Sequence, residues 1–255
     1  MHTIIDSHVH LDLPPFDGDR ETVIERAHDV GVQHMVVPSV DLDSWPRIAK
    51  LAMDEPRIHP AYGLHPVYLA RHQLAHLDRL NAWLNDHPAV ALGEIGLDFH
   101  QAVLDRDQQR FYFTNQLQLA LARKLPVVVH ARQALEEVIL TLRQYAGLRG
   151  VVHSFSGSEQ QARRLWDLGF QLGIGGPVTY DRAQRLRRIV AKMPIEFLLL
   201  ESDAPDQPDA AHRGQRNEPS RLTEVLRCIA ALRGESEEHV ADATSGNARR
   251  LFRLG

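Results

Sequence analysis

The segment Ile4-Ile5-Asp6-Ser7-His8-Val9-His10, close to the N-terminus, has the pattern of a short apolar strand that ends in a His-x-His pair. Because side chains alternate between the two faces of a strand, His8 and His10 should point the same way, with Asp6 one step deeper on that face. Two imidazoles on one face at a strand end form half of a metal site. A chance pair of surface histidines has the same pattern, so the rest of the chain has to decide between the two.

Short β-branched runs alternate with longer helix-like segments along the whole chain. Strands are predicted over residues 3–7, 34–38, 58–63, 90–93, 126–129, 150–152, 170–173 and 196–200. Apolar strands that alternate with helices favour a parallel sheet that is covered on both faces. Eight such units predict an α/β fold, a (β/α)8 TIM barrel, with residues 1–255 forming one domain.

The segments between the strands carry helix signals. The longest helix is predicted over 105–124, where the apolar residues fall near one stripe: Phe111, Leu117, Leu121 and Leu125. Ser158 followed by Gln161 resembles a capping box at a helix start. The polar, proline-containing segment 203–218 is predicted to be a loop over one face of the barrel.

Composition and charge exclude several classes of protein. The chain has 255 residues, of which 44% are hydrophobic, enough for a sizeable core. Its formal net charge of −4 gives no global basic footprint, so any contact with nucleic acid has to be local or depend on bound cations. The single cysteine, Cys228, rules out a disulfide within one chain. An N-terminus unlike a signal peptide and the absence of a long apolar run predict a cytoplasmic protein, with a monomer as the default.

Side chains with metal-binding chemistry recur where the predicted strands end. They are His8 and His10 after the first strand, Glu94 after the fourth, His130 after the fifth, His153 after the sixth and Asp203 after the eighth. In a barrel these ends converge on the C-terminal face, where active sites are built. Each residue alone could be an ordinary strand or turn cap. Together, four imidazoles and two carboxylates exceed the needs of one tetrahedral ion and suit two ions bridged by a carboxylate. Asp6 and Glu201, two residues deeper, are candidates for orienting the ligands.

The chain resembles the TatD family of metal-dependent hydrolases, within the amidohydrolase superfamily. The matching segments are DSHVH at 6–10, GLHP at 63–66, GEIGLD at 93–98, VH at 129–130, HSFSG at 153–157, ESDAP at 201–205, NEP at 217–219 and NA at 247–248. They run along essentially the whole chain. The resemblance implies a TIM barrel, a 3′–5′ deoxyribonuclease activity and the same six metal ligands. Ser202 stands where many members have Thr, and the helix predicted over 181–192 is more basic than the family pattern.

These residues support a hypothesis for the chemistry. One ion would be held by His8, His10 and Asp203. The other would be held by His130 and His153, and Glu94 would bridge the two ions. A water shared by both ions would lose a proton near neutral pH and give a hydroxide nucleophile. Asp203 would also serve as the general base, which makes Asp203 and Glu94 the catalytic pair. Four imidazoles suit zinc, manganese or nickel better than magnesium, whereas family activity is usually associated with magnesium.

The substrate is the most open part of the prediction. Candidate phosphate contacts are His65, Arg132 and Asn217, together with Arg213 and Arg216, and the basic helix over 181–192 is either a solvated face or a further contact. The leading hypothesis is a deoxyribonuclease that acts on DNA ends. The alternatives are a hydrolase of a small ester, lactone or amide, and a non-enzymatic metal protein, which an open water site disfavours. No membrane and no protein partner is implied.

Overall fold

The computed structural model describes residues 2–100 and 103–255, and its strands form one parallel sheet in sequential order. The strands are β1 (Ile4–Asp6), β2 (Val32–Pro38), β3 (Ile58–Tyr62), β4 (Ala91–Asp98), β5 (Val127–Arg132), β6 (Gly150–Val152), β7 (Phe170–Ile174) and β8 (Leu198–Leu200). The N–H of Ser7 donates to the carbonyl of Leu200 at 2.9 Å, which brings the two edges of the sheet together. Eight parallel strands therefore form a nearly closed barrel, which confirms the predicted TIM-barrel fold.

Helices connect the strands and follow the last one. They are α1 (Arg20–Asp29), α2 (Ser44–Asp54), α3 (Ala75–Asp86), α4 (Arg106–Arg123), α5 (Leu135–Leu142), α6 (Glu159–Asp167), α7 (Gln184–Lys192), α8 (Leu222–Arg233) and α9 (Glu237–Phe252). Short 3-10 turns occur at Pro14–Phe16, Pro66–Arg71, Gly176–Thr179, Ile195–Phe197, Ala210–His212 and Pro219–Arg221. The predicted capping box at the start of α6 is present, with Ser158 and Gln161 bonding each other's backbone. Within the described residues, no helix combines the length and apolar character needed to cross a membrane.

The fourth strand differs most from its prediction. It was expected to end at Gly93, but β4 continues to Asp98 with all eight residues buried, so Glu94 lies inside the strand. The glycines mark a register shift and close packing against β5: a Cβ on Gly96 would collide with the carbonyl oxygen of His130. Glycine inside a strand often has this meaning, which a strand-end interpretation misses. The eighth strand is shorter than predicted, because its first expected residue, Glu196, belongs to a 3-10 turn.

Helix α4 buries only part of the predicted stripe: Leu117 is in the core, whereas two other members are exposed. Phe111 and Leu121 are 44% and 42% exposed, whereas the buried face consists of Gln109, Tyr112, Phe113, Gln116, Leu117 and Ala120. The stripe of large apolar residues was misleading because the core accepts two glutamines. Gln116 donates to the carbonyl of Leu64 and accepts from its N–H, and so fixes the loop after β3.

Two layers of side chains hold the barrel. A large cluster lies between the sheet and the helices that cover it. A second, smaller cluster combines one side chain from each of seven strands with Ala248 and Phe252 of α9: Ile5, Val36, Ala61, Ala91, Val128, Val151 and Leu199. Helix α9 also contacts the beginnings of β1 and β8, since Ser245 donates to the carbonyl of Thr3 and Asn247 to that of Leu198. It therefore packs at the amino-terminal end of the strands, leaving the carboxyl end for the site.

Candidate metal centre

Glu94 lies at the centre of a cluster of histidines at the carboxyl end of the barrel. Its Oε2 is 3.3 Å from Nε2 of His8 and 3.3 Å from Nε2 of His10. Its Oε1 is 2.9 Å from Nδ1 of His130 and 2.8 Å from Nε2 of His153. The carboxylate is thus divided between two pairs of imidazoles, one pair on each oxygen.

Asp203 joins the cluster on the side of the first histidine pair. Its Oδ1 is 3.5 Å from Nε2 of His8 and 3.9 Å from Nε2 of His10. Backbone hydrogen bonds fix this arrangement, because the N–H of Asp203 donates to the carbonyl of His8 and the N–H of His10 donates to that of Ala204. The six residues predicted as metal ligands from separate strands are therefore in one place.

His65 also belongs to this cluster, as a hydrogen-bond donor. Its Nδ1 accepts the backbone N–H of Val67 at 3.1 Å, so in the neutral ring the hydrogen is on Nε2. That Nε2 lies 3.0 Å from Oε1 of Glu94. His65 therefore presents an N–H to the centre.

Gln207 holds Asp203 from the other side, a contact that the sequence did not indicate. Its amide nitrogen donates to Oδ2 of Asp203 and to the hydroxyl of Ser154. All three residues have left-handed backbone conformations, with φ of 50°, 53° and 48°. Such conformations are unfavourable for non-glycine residues and cluster at functional sites.

The two deeper carboxylates accept hydrogen bonds from the backbone. Asp6 accepts the hydroxyl of Ser202 at 2.5 Å and its N–H at 2.9 Å, and it also accepts the N–H of His8. Glu201 accepts the N–H of Ser154 at 2.5 Å and lies 3.9 Å from the nearest nitrogen of His153. Both carboxylates shape the loops that carry the cluster. Glu201 also lies close to His153, so its expected role in orienting that ring stays a prediction, whereas Asp6 contacts the backbone of His8 and not its ring.

Burial and neighbouring groups have opposite effects on the pKa values of Glu94 and His10. Burial acts to raise the pKa of Glu94, but the surrounding histidines, foremost His65, His153 and His8, hold that pKa well below its usual value. Burial acts to lower the pKa of His10, but its contact with Glu94 and the charge of Asp203 raise that pKa to about 9. The centre therefore contains an ionised carboxylate that attracts cations.

Three neighbouring groups have pKa values that are shifted the other way, toward the neutral form of the side chain. Burial lowers the pKa of His8 far below its usual value, and the nearby His153 lowers it further. Burial, partly offset by Glu94, lowers the pKa of His65 to about 4. Burial also raises the pKa of Asp203, and the nearby charge of Glu94 adds to that rise.

The donor set fits divalent cations. Nε2 of His8 lies 3.1 Å from Nε2 of His10, and Nδ1 of His130 lies 3.1 Å from Nε2 of His153, so each pair aims two nitrogens at the same space. Among the described residues, the Nδ1 atoms of His8, His10 and His153 are buried without a hydrogen-bond partner. Three overlapping groups have ligand atoms close enough for one ion: His8, His10 and Glu94; His65, Glu94 and His130; and His8, His153 and Glu201. A cation between facing lone pairs relieves their repulsion, and neutral imidazoles are common metal ligands.

A cavity of about 690 Å³ opens above the centre. Arg132, a candidate substrate contact, is among its lining residues, and so are two aromatic residues that the sequence did not indicate, Tyr68 and Phe155. From the basic helix α7, Arg185 reaches the rim, where it donates to the carbonyl of Ser156 at 2.7 Å.

Two residues of the predicted loop lie away from this cavity. Asn217 donates to the carbonyls of Ser202 and Gln207, and its side-chain oxygen accepts the N–H of Glu218. Arg216 forms a two-point ion pair with Asp19 at 2.7 Å. We therefore correct the expected substrate contact of Asn217: its amide hydrogens are used to hold the loop after β8.

Comparisons with known proteins agree with this geometry. The family model described as "TatD related DNase" matches residues 5–253. This chain belongs to the TatD family. An uncharacterized metal-dependent hydrolase, YjjV of Escherichia coli K12, is 39% identical over 253 residues, covering 98% of both chains. The crystal structure of that TatD homolog superposes with a TM-score of 0.95 at 38% identity, covering 99% of this chain and 98% of the other.

A further TatD relative carries a name that states a substrate. The protein of Salmonella typhimurium LT2 named 3′-5′ ssDNA/RNA exonuclease TatD is 34% identical over 260 residues, covering 98% of this chain and 99% of its own length. The present chain is accordingly a TatD-family metal-dependent hydrolase, with buried histidine and glutamate groups that could hold metal ions.

Proposed function

We propose that this TatD-family chain is a deoxyribonuclease that hydrolyses phosphodiester bonds at DNA ends with 3′–5′ polarity, and that residues 1–255 act as one hydrolase domain. The observation that carries the proposal is that each carboxylate oxygen of Glu94 contacts its own pair of imidazoles. A carboxylate in this position can bridge two divalent ions, and paired ions are used in phosphodiester hydrolysis to stabilise both the attacking and the leaving oxygen. The description of the family as a DNase and the name of the Salmonella relative support the same substrate.

In this proposal six side chains would hold two ions. His8, His10 and Asp203 would bind the first, His130 and His153 the second, and Glu94 would contribute to both. The bound ions would supply an activated water as nucleophile and would neutralise charge on the phosphoryl oxygens. Imidazole-rich ligation favours zinc, manganese or nickel over magnesium, which prefers oxygen donors.

The protein groups divide the remaining work. Asp203 would accept the proton of the attacking water and pass it to the leaving oxygen. His65 would turn its Nε2 hydrogen, which lies against Oε1 of Glu94 in this structure, to a phosphoryl oxygen once Glu94 binds the ions. Arg132 lines the cavity without an ion-pair partner among the described residues, and its guanidinium binds the next phosphate of the strand.

The second candidate is a hydrolase of a small ester, lactone or amide on the same barrel. The charge of the cavity favours it, because Arg132 is the one Lys or Arg side chain among the described lining residues. Binding of an extended nucleic acid relies on neutralising many phosphates. Cleavage at a strand end needs fewer such contacts, and this is why we rank the nuclease first.

The deciding experiment compares both substrate classes on one preparation. Metal-reconstituted protein is incubated with single-stranded DNA labelled at its 5′ end, and in parallel with p-nitrophenyl phosphodiesters, esters and lactones. The nuclease proposal predicts stepwise shortening of the DNA from its 3′ end, with no shortening by Asp203→Asn purified in the same way. Turnover of an ester or lactone without any cleavage of phosphodiesters would favour the second candidate.

A further inference from the structure

A second cavity, of about 470 Å³, opens at the end of the barrel opposite the metal centre. Its lining includes Pro126, Arg149, Gly169 and Phe197, each of which directly precedes a strand, β5 to β8 in turn. The end of α9 contributes another side through Leu251. The metal centre is built at the carboxyl ends of the strands, so the two cavities do not share residues.

This second cavity is strongly cationic. Four of its lining residues carry a positive charge, Lys124, Arg149, Arg250 and Arg253, and the described lining contains no Asp or Glu. None of the four forms an ion pair with a carboxylate of the described residues, whereas arginines elsewhere do, such as Arg110 with Glu137. In a protein of net charge −4, this concentration of one sign attracts anions locally.

Two of the guanidinium groups are already held in place by neutral acceptors. Arg149 donates to the carbonyl of Leu148 at 3.3 Å and lies across Gly169, where a Cβ would come within 2.9 Å of its Nη1. Arg250 donates to the side-chain oxygen of Asn247. Neither contact neutralises the charge, and both reduce the entropy lost when a ligand binds.

Helix dipoles explain part of this pattern. Lys124 and Arg253 are the left-handed C-cap residues of α4 and α9, and Arg250 lies in the last turn of α9. Cations at helix C-termini are each stabilising by about 0.3–1 kcal/mol. Arg149 precedes a strand and gains no such energy, yet it lines the same cavity.

The other lining residues indicate which chemical group should be attached to an anion that binds here. Leu121 and Phe197 provide apolar surface, and the ring of Phe197 packs on Trp166 with 6.1 Å between centroids. Gln171 donates to the carbonyl of Glu196, while its own side-chain oxygen is buried without a partner among the described residues. The lining therefore offers cations, an aromatic surface and one unused hydrogen-bond acceptor. We propose that this cavity binds a nucleoside monophosphate, with the phosphate on the arginines and the base on the apolar side.

The test is calorimetric titration of the metal-loaded full-length chain with adenosine 5′-monophosphate. We expect Arg149→Glu and Arg250→Glu each to weaken this binding by about tenfold or more, as expected for loss of a charge-assisted contact. Arg79→Glu, which changes the same charge at an exposed position of α3, should weaken it by less than about twofold. Arg149→Gln, which introduces no negative charge, should give an intermediate loss and serves if the glutamate variant fails to fold.

Control ligands separate the possible sources of binding. Adenosine and inorganic phosphate should each bind more weakly than the nucleotide, because each reaches only part of the lining. Four results would overturn the proposal: no nucleotide binding, equal binding by wild type and Arg149→Glu, equal weakening by Arg79→Glu, or inorganic phosphate bound as tightly as the nucleotide. A DNA oligomer without a terminal phosphate could instead bind more tightly than the nucleotide and lose affinity in Arg149→Glu. That result would indicate a nucleic-acid surface and would also overturn the proposal.

Discussion

Nε2 of His130 lies 3.0 Å from Oδ2 of Asp98, on the side of the ring that faces away from Glu94. A carboxylate in this position keeps the hydrogen on Nε2 and leaves the lone pair of Nδ1 directed at the centre. Burial acts to raise the pKa of Asp98, but its hydrogen bond with His130 lowers that pKa below its usual value. Gln109 fixes the backbone of Asp98 through both its N–H and its carbonyl, each at 2.7 Å. Asp98 is therefore a positioning residue for the ring.

Replacing Asp98 with asparagine should weaken metal binding by about 10–100-fold at the ion assigned to His130, because the amide can no longer select the ring tautomer. Competition with a chelator of known affinity measures this. Asp206→Asn is the matched control, since Asp206 lines the same cavity with an exposed carboxylate. Equal metal affinity in Asp98→Asn and wild type would contradict the role.

Asp203→Asn should keep the fold and reduce the turnover of the DNA substrate by about 10²–10⁴-fold, as expected on loss of a general base. The amide oxygen can still accept from Gln207, and the backbone bond to His8 is unchanged. Metal content has to be measured in the same samples, because Asp203 is also an assigned ligand. Turnover like that of the wild type in a folded, metal-loaded variant would refute the assignment.

Arg132→Gln should raise the KM for single-stranded DNA and reduce its dependence on salt. Each lost phosphate contact lowers the slope of log affinity against log salt by about 0.7 for a single strand. Hydrolysis of a p-nitrophenyl phosphodiester, which has no second phosphate, should be unchanged. The control is Arg79→Gln on the surface of α3. If the slope of log affinity against log salt is the same in Arg132→Gln and wild type, the DNA strand does not contact Arg132.

His34 and His59 predict a dependence of stability on pH that is independent of the metal centre. Nδ1 of His34 lies 2.9 Å from Nε2 of His59. Burial, followed by the charges of His34 and Arg249, lowers the pKa of His59 to about 4, and burial also lowers that of His34. Between pH 6.5 and about 4 the unfolded chain therefore binds more protons than the folded one, so the free energy of unfolding decreases as the pH falls through this window.

Urea unfolding of the metal-free protein at pH 7.5 and pH 5 tests this prediction. His59→Gln should lose less stability than wild type between the two pH values, while the exposed control His239→Gln should lose as much as wild type. If the free energy of unfolding decreases equally in wild type and His59→Gln between the two pH values, the lowered pKa of His59 is contradicted.

Much of the fold and the composition of the centre could be predicted from the sequence. Each strand is a short buried run, and the chemistry-bearing residues lie at or near the carboxyl ends of those runs, so barrel geometry brings His8, Glu94 and Asp203 together. What the sequence could not give is the partner of each group. Asp98 reaches His130 across a strand pair, 32 residues away, and Gln207 reaches Asp203 through a left-handed loop conformation.

Two errors have a common physical origin. The fourth strand was predicted to end at Gly93, although the glycines around Glu94 allow close packing of β4 on β5. Phe111 was placed in the core because it is large and apolar, although glutamines occupy that face and bind loop backbone. In both cases a contact between distant segments overrides the local pattern.

The measurement that tests the central claim most directly is the number of metal ions bound per chain, by elemental analysis after reconstitution and desalting. The account predicts two ions in the wild type and one in each of His10→Ala and His130→Ala, which remove ligands from different oxygens of Glu94. A single ion in the wild type, or two ions in both variants, would contradict a centre in which Glu94 bridges two metals.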